Sequence, residues 1–330
     1  VQPEDCLFFP SDESFRMEAL ASSPELLTQR IYVLNRLLED KPRILIVHTA
    51  SLIRHISSKE TLLKHVVQLQ QGQTFSKLEL IKRLDDLGYQ YAHYVEKSLQ
   101  YSQRGGVVDF FGVNYEHPLR IEYFGDEIDS IRFFDLATQR TIKSVDKVDI
   151  FSATDLVVDY QQLVHNEASL KQEHPTNEID ILLQRDNYSL LYKYYATLGY
   201  PVTSILSYVP DPFVIMMNES EIHDNYQLLI KETFEYLEES NQLQFSVFQA
   251  LNQVLTLAKK TKKIQEFAQK ERDMVLPIRS LDIVLGHATK MLYLLKEYQQ
   301  QGYRIVFALE NQKQLDYLMN MNQEWGFFLE

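Results

Sequence analysis

An acidic tetrad is the first candidate for chemistry in this sequence. Asp126-Glu127-Ile128-Asp129 has the Asp-Glu-x-Asp pattern, which can hold the Mg²⁺ of a bound nucleotide when it ends a buried strand that faces a phosphate-binding loop. Here the tetrad follows Gly125 within a segment whose residues alternate with period two, as antiparallel strands do. The sequence therefore predicts a charged hairpin turn, and we reject a nucleotide-binding role for these four residues.

A run of lysines is the second candidate. Lys259-Lys260-Thr261-Lys262-Lys263 places its positive charges on a segment that we predict to be helical, where they could bind phosphates and add to DNA affinity. The alternative is a solvated helix face that Glu266, Glu271 and Asp273 balance, which is the usual role of a charge run on a helix. The sequence favours this second interpretation.

Patterns of metal ligands and catalytic nucleophiles are missing from the sequence. The single cysteine, Cys6, cannot form an internal disulfide, and the histidines show no H-E-x-x-H spacing. No G-x-x-x-x-G-K-[ST] loop is present to cradle nucleotide phosphates. We expect no metal site, no catalytic residue and no cofactor in this segment.

Composition and charge limit the possible functions further. A chain of 330 residues with 45% apolar and 24% charged residues is expected to form two or more packed units. It has no apolar run long enough for a membrane span and no signal peptide, so we expect a cytoplasmic protein without a membrane partner. The net charge of -13 repels a phosphate backbone and disfavours a self-standing DNA-binding domain.

The elements that must position any site begin with an α/β pattern. Cys6-Leu7-Phe8-Phe9 is predicted to be a core strand, and a helix is predicted to start at Ser23-Pro24. Ile44-Leu45-Ile46-Val47 is a continuous apolar run, typical of a parallel strand that is covered on both faces. The order of strand, helix and strand predicts a parallel sheet with flanking helices.

A different pattern interrupts this fold. Ser76 and Glu79 form a capping box at the start of a helix that Gly88 ends. Period-two runs then occupy residues 107–111, 119–124 and 128–134. We predict a small inserted α+β domain with an antiparallel sheet.

Three segments of this insert carry a family resemblance. They are an R-G-x-x-x-D-x-F segment from Arg104 to Phe111, an R-x-E-x-F-x-D-E segment from Arg120 to Glu127, and an F-D-x-x-x-Q-R segment from Phe134 to Arg140. In this order and spacing they resemble the UvrB-homology module at the amino-terminal end of the bacterial transcription-repair coupling factors, the Mfd family. The excinuclease subunit UvrB is a close relative of that module.

The resemblance implies a docking site for UvrA, the damage-sensing subunit of nucleotide excision repair. It assigns the contacts to Arg104, which we expect to open the first strand, and to Arg120 and Phe124, which share a face of the next strand. Arginines beside an exposed aromatic ring can pair with acidic partner groups while the ring fills a pocket. Without the resemblance, a half-buried sheet with a core phenylalanine and solvated arginines would be favoured.

A second stretch, residues 205–220, resembles the UvrB segment in which an apolar strand ends in the Asp-Glu pair of a Walker B motif. This sequence has Asn218 and Glu219 at those positions. A neutral amide lacks the charge that holds hydrated Mg²⁺ between the β- and γ-phosphates. The resemblance therefore implies a degenerate P-loop helicase-like domain that has lost its chemistry.

The expected organisation has three parts. Residues 1–72 and 153–330 form the degenerate ATPase domain, and residues 73–152 form the inserted UvrA-binding domain. By resemblance, the whole protein is an ATP-dependent translocase that uses Mg²⁺, acts on double-stranded DNA and displaces stalled RNA polymerase, all through domains outside this chain. Two alternatives stay open: a fragment of an active UvrB-type subunit that binds damaged DNA, and a partner-binding domain unrelated to repair.

Overall fold

The fold is mixed α/β. The computed structural model describes residues 5–11, 24–39, 43–173, 178–183, 188–239, 242, 245–265, 274, 288–307, 312–316 and 319. The strands are β1 (Cys6–Phe9), β2 (Ile44–Val47), β3 (Val67–Gln70), β4 (Gln90–Tyr91), β5 (Gln100–Arg104), β6 (Val107–Phe110), β7 (Leu119–Phe124), β8 (Glu127–Phe134), β9 (Thr141–Ser144), β10 (Lys147–Ile150), β11 (Phe213–Met217) and β12 (Lys260–Ile264). The helices are α1 (Pro24–Leu37), α2 (Thr49–Leu52), α3 (Lys59–Lys64), α4 (Lys77–Asp86), α5 (Tyr160–His165), α6 (Glu167–Glu173), α7 (Glu178–Leu183), α8 (Tyr188–Tyr194), α9 (Glu219–Glu239), α10 (Leu251–Leu255) and α11 (Ala288–Gln300).

The chain divides into two compact units, Val1–Glu266 and Phe267–Glu330. The second unit contains α11. The first contains every strand given above, in two parallel pairs, β1-β2 and β11-β12, one antiparallel pair, β3-β10, and a six-stranded sheet in the order β4-β5-β6-β7-β8-β9. Among the described helices, none combines the length and apolar character needed to cross a bilayer.

The β1-α1-β2 unit confirms the α/β pattern, with one correction. Helix α1 begins at Pro24, and its apolar stripe, which includes Ile31 and Leu34, is buried. The prediction that β2 is covered on both faces is wrong, because Ile44 and Ile46 are 47% and 51% exposed. Only the face of the β1-β2 pair that packs on the core is closed.

The inserted sheet is larger than its sequence pattern indicates. Strands β6, β7 and β8 confirm the three period-two runs, and Gly105 (φ +54°) and Gly125 (φ +64°) occupy the turns that precede β6 and β8. The period-two search missed β4, β5 and β9, which have polar sequences or only two residues. Strand β4 runs parallel to β5, so the sheet is not purely antiparallel.

Helix α4 covers the inner face of this sheet. The Ser76 side chain accepts a hydrogen bond from the Glu79 amide at 3.2 Å, so the predicted cap forms, and Gly88 adopts φ +88° at the end of the helix. Leu80 and Leu84 belong to the same apolar core as the inner-face residues of the sheet and as α1 and β1. The insert is therefore packed into the α/β part through a shared core.

A buried ionic cluster joins the two parts of the chain that flank the insert. Arg30 of α1 donates from Nε to Oδ2 of Asp155 at 3.1 Å, and both side chains are fully buried. The guanidinium of Arg54 lies 3.8 Å from the same carboxylate and stacks over the Tyr192 ring at 4.3 Å. The cluster therefore ties α1 to the segment that follows the inserted sheet and to α8.

Asp155→Ala is expected to lower the free energy of unfolding by about 3–5 kcal/mol, because it leaves two buried guanidinium groups without their carboxylate. Urea denaturation of the purified chain measures this loss. The control is Glu235→Ala, which removes an exposed ion pair to Lys231 on α9 and should change stability by less than about 1 kcal/mol. A loss for Asp155→Ala no larger than that of the control would contradict the assignment.

Candidate functional site

The three motif segments meet on the outer face of the inserted sheet. Asp109 of β6 lies opposite Arg120 of β7, and Arg120 lies opposite Arg132 of β8. The prediction that Arg104 opens the first strand of the motif is wrong, because Arg104 is the last residue of β5 and β6 begins at Val107. The antiparallel order of neighbouring strands thus gathers residues that are far apart in sequence into one polar cluster.

The carboxylate of Asp109 is the centre of this cluster. Its Oδ1 accepts from Nε of Arg120 at 2.7 Å, and its Oδ2 accepts from Nη2 of Arg120 at 2.8 Å and from Nη2 of Arg104 at 3.1 Å. Asp109 is only 2% exposed, so the two guanidinium groups provide the pairing that a buried charge requires. The hydrogen bonds from Arg120 to Asp109 raise the pKa of the arginine above its ordinary value.

The third motif segment supports Arg120 from the other side. The guanidinium of Arg120 lies over the Phe134 ring at 4.3 Å, and Nη2 of Arg120 donates to Oε1 of Gln139 at 2.9 Å. Gln139 has a φ of +59° and donates from Nε2 to the Leu136 carbonyl at 2.9 Å. The Asp135 carboxylate accepts from the hydroxyl and the amide of Thr138, which lowers its pKa and fixes the turn. These motif residues hold the arginine in one orientation.

The three predicted contact residues differ in what they can offer a partner. The side chain of Arg120 is 14% exposed, that of Arg104 is 45% exposed, and Phe124 is 83% exposed. From the sequence we expected the guanidinium of Arg120 to pair with an acidic group of a partner protein. In the structure its Nε and Nη2 instead donate to the carboxylate of Asp109 in the same chain. Phe124 does not belong to the core, contrary to the alternative in which this phenylalanine is a core residue of a half-buried sheet. The guanidinium of Arg104 lies over the Tyr94 ring at 4.7 Å.

Arg120 and Phe124 lie on the same face, as the even spacing predicts. A bulge does interrupt the β7-β8 ladder, where Glu122 pairs with Ser130 and Tyr123 pairs with Ile128. The extra residue, Asp129, belongs to β8, so the alternation along β7 is preserved. Between the two predicted contacts, Glu122 is held by Arg132 and by the Ser130 hydroxyl, so its charge is balanced within the sheet.

The acidic tetrad lies where the sequence placed it. Gly125 and Asp126 form the tip of the β7-β8 hairpin, and Glu127 begins β8. Asp126 and Glu127 are exposed to solvent, whereas Ile128 is buried in the core. Only Asp126 lies in the turn, and Glu127, Ile128 and Asp129 form the start of β8, so the predicted turn is shorter than the tetrad.

The Walker B-like strand ends in a different arrangement. Asn218 follows β11 with a φ of +55°, and its backbone N–H donates to the Ile264 carbonyl at 2.8 Å. Glu219 begins α9, and its Oε2 lies 2.6 Å from Nζ of Lys263. The acid at the second position of the Walker B-like pair is thus matched by a lysine ammonium of the neighbouring strand. Among the described residues, no group of three or more His, Cys, Asp or Glu side chains could hold a metal ion.

The lysine run corrects a prediction. It was expected to be helical, but Lys260–Ile264 is the strand β12, which pairs in parallel with β11 and is exposed along its length. Lys259 pairs with Asp211 at 2.8 Å, and Lys263 pairs with Glu219. The acids to which the sequence assigned this balance, Glu266, Glu271 and Asp273, lie outside the described residues. The strand pairing explains the error, because a parallel partner can stabilise a polar edge strand that has no apolar period of its own.

Comparisons with known proteins agree with the motif segments. Residues 67–156 match the family model of the UvrB interaction domain. The transcription-repair-coupling factor of Bacillus subtilis (strain 168) is 28% identical over 257 residues, which are 72% of this chain and 22% of that protein. The factor of Staphylococcus aureus (strain bovine RF122 / ET3-1) is 31% identical over 188 residues, which are 56% of this chain and 16% of that protein.

The chain thus spans less than a quarter of the length of these relatives. Residues 67–156 contain all of the six-stranded sheet and the Asp109 cluster. The resemblance to the amino-terminal region of the transcription-repair coupling factors is therefore confirmed, and residues 67–156 are the part of the chain that is similar to the UvrB interaction domain.

Proposed function

We propose that this chain recruits UvrA during nucleotide excision repair, through the outer face of the inserted sheet. The observation that carries the proposal is the exposed Phe124 on the same face of β7 as Arg120 of the Asp109-arginine cluster, within the region that matches the UvrB interaction domain. A protruding ring next to an ordered cation is the composition of a protein-binding hot spot. UvrA is the partner that the family resemblance implies.

The three contact residues have different roles in this proposal. Phe124 is the apolar anchor, because its ring is largely exposed before any partner binds. Arg104 keeps enough exposed surface to pair with a carboxylate of UvrA. Arg120 acts mainly by positioning, because Asp109, Phe134 and Gln139 fix its guanidinium within the chain. The site is thus ordered in advance, which lowers the entropic cost of association.

We further propose that the α/β part around the insert is a degenerate P-loop helicase-like scaffold that holds no cofactor and hydrolyses no ATP. The support comes from Asn218, which supplies no charge at the Walker B position, and from Glu219, which is paired with Lys263. The chain contains no G-x-x-x-x-G-K-[ST] loop. Its role in this proposal is to hold the docking sheet.

For the whole protein we propose the activity that the relatives' name suggests. It would be an ATP- and Mg²⁺-dependent translocase on double-stranded DNA that displaces RNA polymerase stalled at lesions, and it would work in the bacterial cytoplasm. The polymerase, the DNA and the nucleotide would bind to domains outside this chain, because the matched region covers at most 22% of the relatives given above.

An active UvrB-type fragment is the alternative, and the two hypotheses differ in nucleotide binding. That alternative requires a carboxylate that binds Mg²⁺ at the end of β11. This chain has Asn218 at that position, and the neighbouring Glu219 is paired with Lys263. A partner-binding domain unrelated to repair would share the exposed Phe124 but would not respond to UvrA.

Arg104→Ala, Arg120→Ala and Phe124→Ala are each expected to weaken UvrA binding by at least about 1 kcal/mol, because each removes an anchor or its support. Calorimetric titration of the chain with purified UvrA measures the change, and circular dichroism checks that each variant is folded. Phe234→Ala is the matched control, since it truncates an exposed aromatic ring on α9, outside the inserted sheet. Unchanged affinity in all three variants would rule out the docking assignment.

Titration of the chain with Mg-ATP is expected to show no saturable binding up to millimolar nucleotide. The physical reason is that Asn218 leaves the metal uncompensated and Lys263 neutralises Glu219. Isothermal calorimetry at physiological ionic strength is suitable, because weak adsorption to surface lysines is screened by salt. Saturable binding with micromolar affinity would favour the UvrB-type alternative.

A further inference from the structure

An exposed aromatic ring lies in the loop between β4 and β5, where the sequence analysis assigned no role. Tyr94 is 59% exposed, whereas the next residue, Val95, is buried. The guanidinium of Arg104 lies over the Tyr94 ring, 4.7 Å from the ring centroid. The loop therefore packs one residue into the insert and presents the ring of its neighbour to solvent, against a predicted contact residue.

The strand register shows on which face of the sheet this ring lies. Ser102 of β5 pairs with Asp109 of β6, and Arg104, two residues after Ser102, belongs to the same face. On that face Nη2 of Arg104 donates to Oδ2 of Asp109 at 3.1 Å. Because the Tyr94 ring contacts the guanidinium of Arg104, it lies at the outer face of the sheet, next to the Asp109 cluster.

Phe124 lies at the same end of the outer face as Arg104. The Tyr123 amide donates to the Gly106 carbonyl at 2.8 Å, which joins the residue before Phe124 to the turn that follows Arg104. Two strand spacings across the sheet and one two-residue step along it put the backbones of Arg104 and Phe124 about 12 Å apart. One side of a standard protein interface covers about 800 Å², so a partner that covers both residues also reaches a ring in contact with Arg104.

The contact between Tyr94 and Arg104 favours coverage by a partner. Arg104 is held by the Asp109 carboxylate and by the Tyr94 ring, and its side chain still keeps 45% exposure. The attraction between a guanidinium and an aromatic ring is weak in water and strengthens when the pair loses its water. A tyrosine also offers a large contact area with few rotatable bonds, so little conformational freedom is lost when it is covered.

We propose that Tyr94 is a further contact residue for UvrA, which covers the Tyr94-Arg104 pair together with Phe124. This inference rests on the proposed function. UvrA is the occupant because the ring directly contacts Arg104, to which the UvrA contact is assigned, and lies within the area that an interface over Arg104 and Phe124 covers. The matching surface of UvrA carries a carboxylate for the guanidinium and an apolar side chain against the ring.

Tyr91 provides a matched control in the same part of the insert. It is also a tyrosine, it is 52% exposed, and it lies three positions before Tyr94. Its ring lies 5.6 Å from that of Tyr101, its partner in the β4-β5 ladder, and Tyr101 is buried in the apolar core under the inner face. Truncation of Tyr91 thus removes a similarly exposed ring from the other side of the sheet.

Calorimetric titration with purified UvrA tests the proposal on the unsubstituted chain, Tyr94→Ala, Tyr94→Phe, Tyr91→Ala and Phe124→Ala. Tyr94→Ala is expected to weaken binding about fivefold or more, as truncation of an interface aromatic does. Tyr94→Phe keeps the ring over Arg104 and should bind within about twofold of the unsubstituted chain. Tyr91→Ala should also stay within about twofold, because it lies outside the contact surface. Circular dichroism checks that each variant is folded.

The outcomes separate the inference from the proposed function. If Phe124→Ala weakens binding and Tyr94→Ala does not, the inference is wrong and the proposed function stands. Equal weakening by Tyr94→Ala and Tyr91→Ala would also overturn the inference, because the loss would then not depend on the outer face. If the unsubstituted chain does not bind UvrA, both are wrong. Weakening by Tyr94→Ala and Phe124→Ala, with Tyr94→Phe and Tyr91→Ala close to the unsubstituted chain, supports the wider contact surface.

Discussion

One buried carboxylate determines the chemistry of the docking face. Asp109 is enclosed by the sheet, and a charge in that position persists only if opposite charges and hydrogen bonds compensate for the lost water. Arg104 and Arg120 supply both, from the strands on either side of β6. The need to pair this single acid therefore fixes two arginines in place, on the face of the sheet to which the exposed Phe124 also belongs.

The arrangement explains why the motif residues lie in three separate segments. Each segment contributes to one cluster. Asp109 and Arg104 come from the first segment, Arg120 from the second, and Phe134 and Gln139 from the third. A substitution in any segment would disturb the orientation of Arg120. The shared apolar core joins the inserted sheet to α1, and the Arg30-Asp155 pair joins α1 to the segment that follows the sheet.

Much of the fold was predictable where residues alternate between core and solvent. Strands β6, β7 and β8 lie within such runs, although Asp109 of β6 is buried, and the capped start of α4 and the glycine turns follow from local patterns of their own. Strands β9 and β12, which are exposed along their length, do not follow it, because they are held by ladder hydrogen bonds and not by an apolar face, and β5 places only Tyr101 in the apolar core. The sequence of β2 could not reveal that one of its faces stays open, since an apolar run is the same whether or not the second face is covered.

The candidate site was predictable in part. The resemblance supplied Arg104, Arg120 and Phe124, and the exposure of Phe124 fits the role it was given. The role of Asp109 was missed, although a signal was present: an acid between Val108 and Phe110 on a period-two strand, with arginines on the segments before and after.

The affinity of an Asp109→Asn variant for UvrA is the most direct test of the central claim. The substitution keeps the size of the side chain, leaves Phe124 and both arginines present, and removes only the charge that orders them. We predict that binding weakens about tenfold or more while the far-ultraviolet spectrum of the sheet is retained, because losing a charged hydrogen-bond acceptor costs about 1.5–3 kcal/mol. A folded Asp109→Asn variant that binds UvrA as tightly as the unsubstituted chain would contradict the claim that this carboxylate organises the docking face.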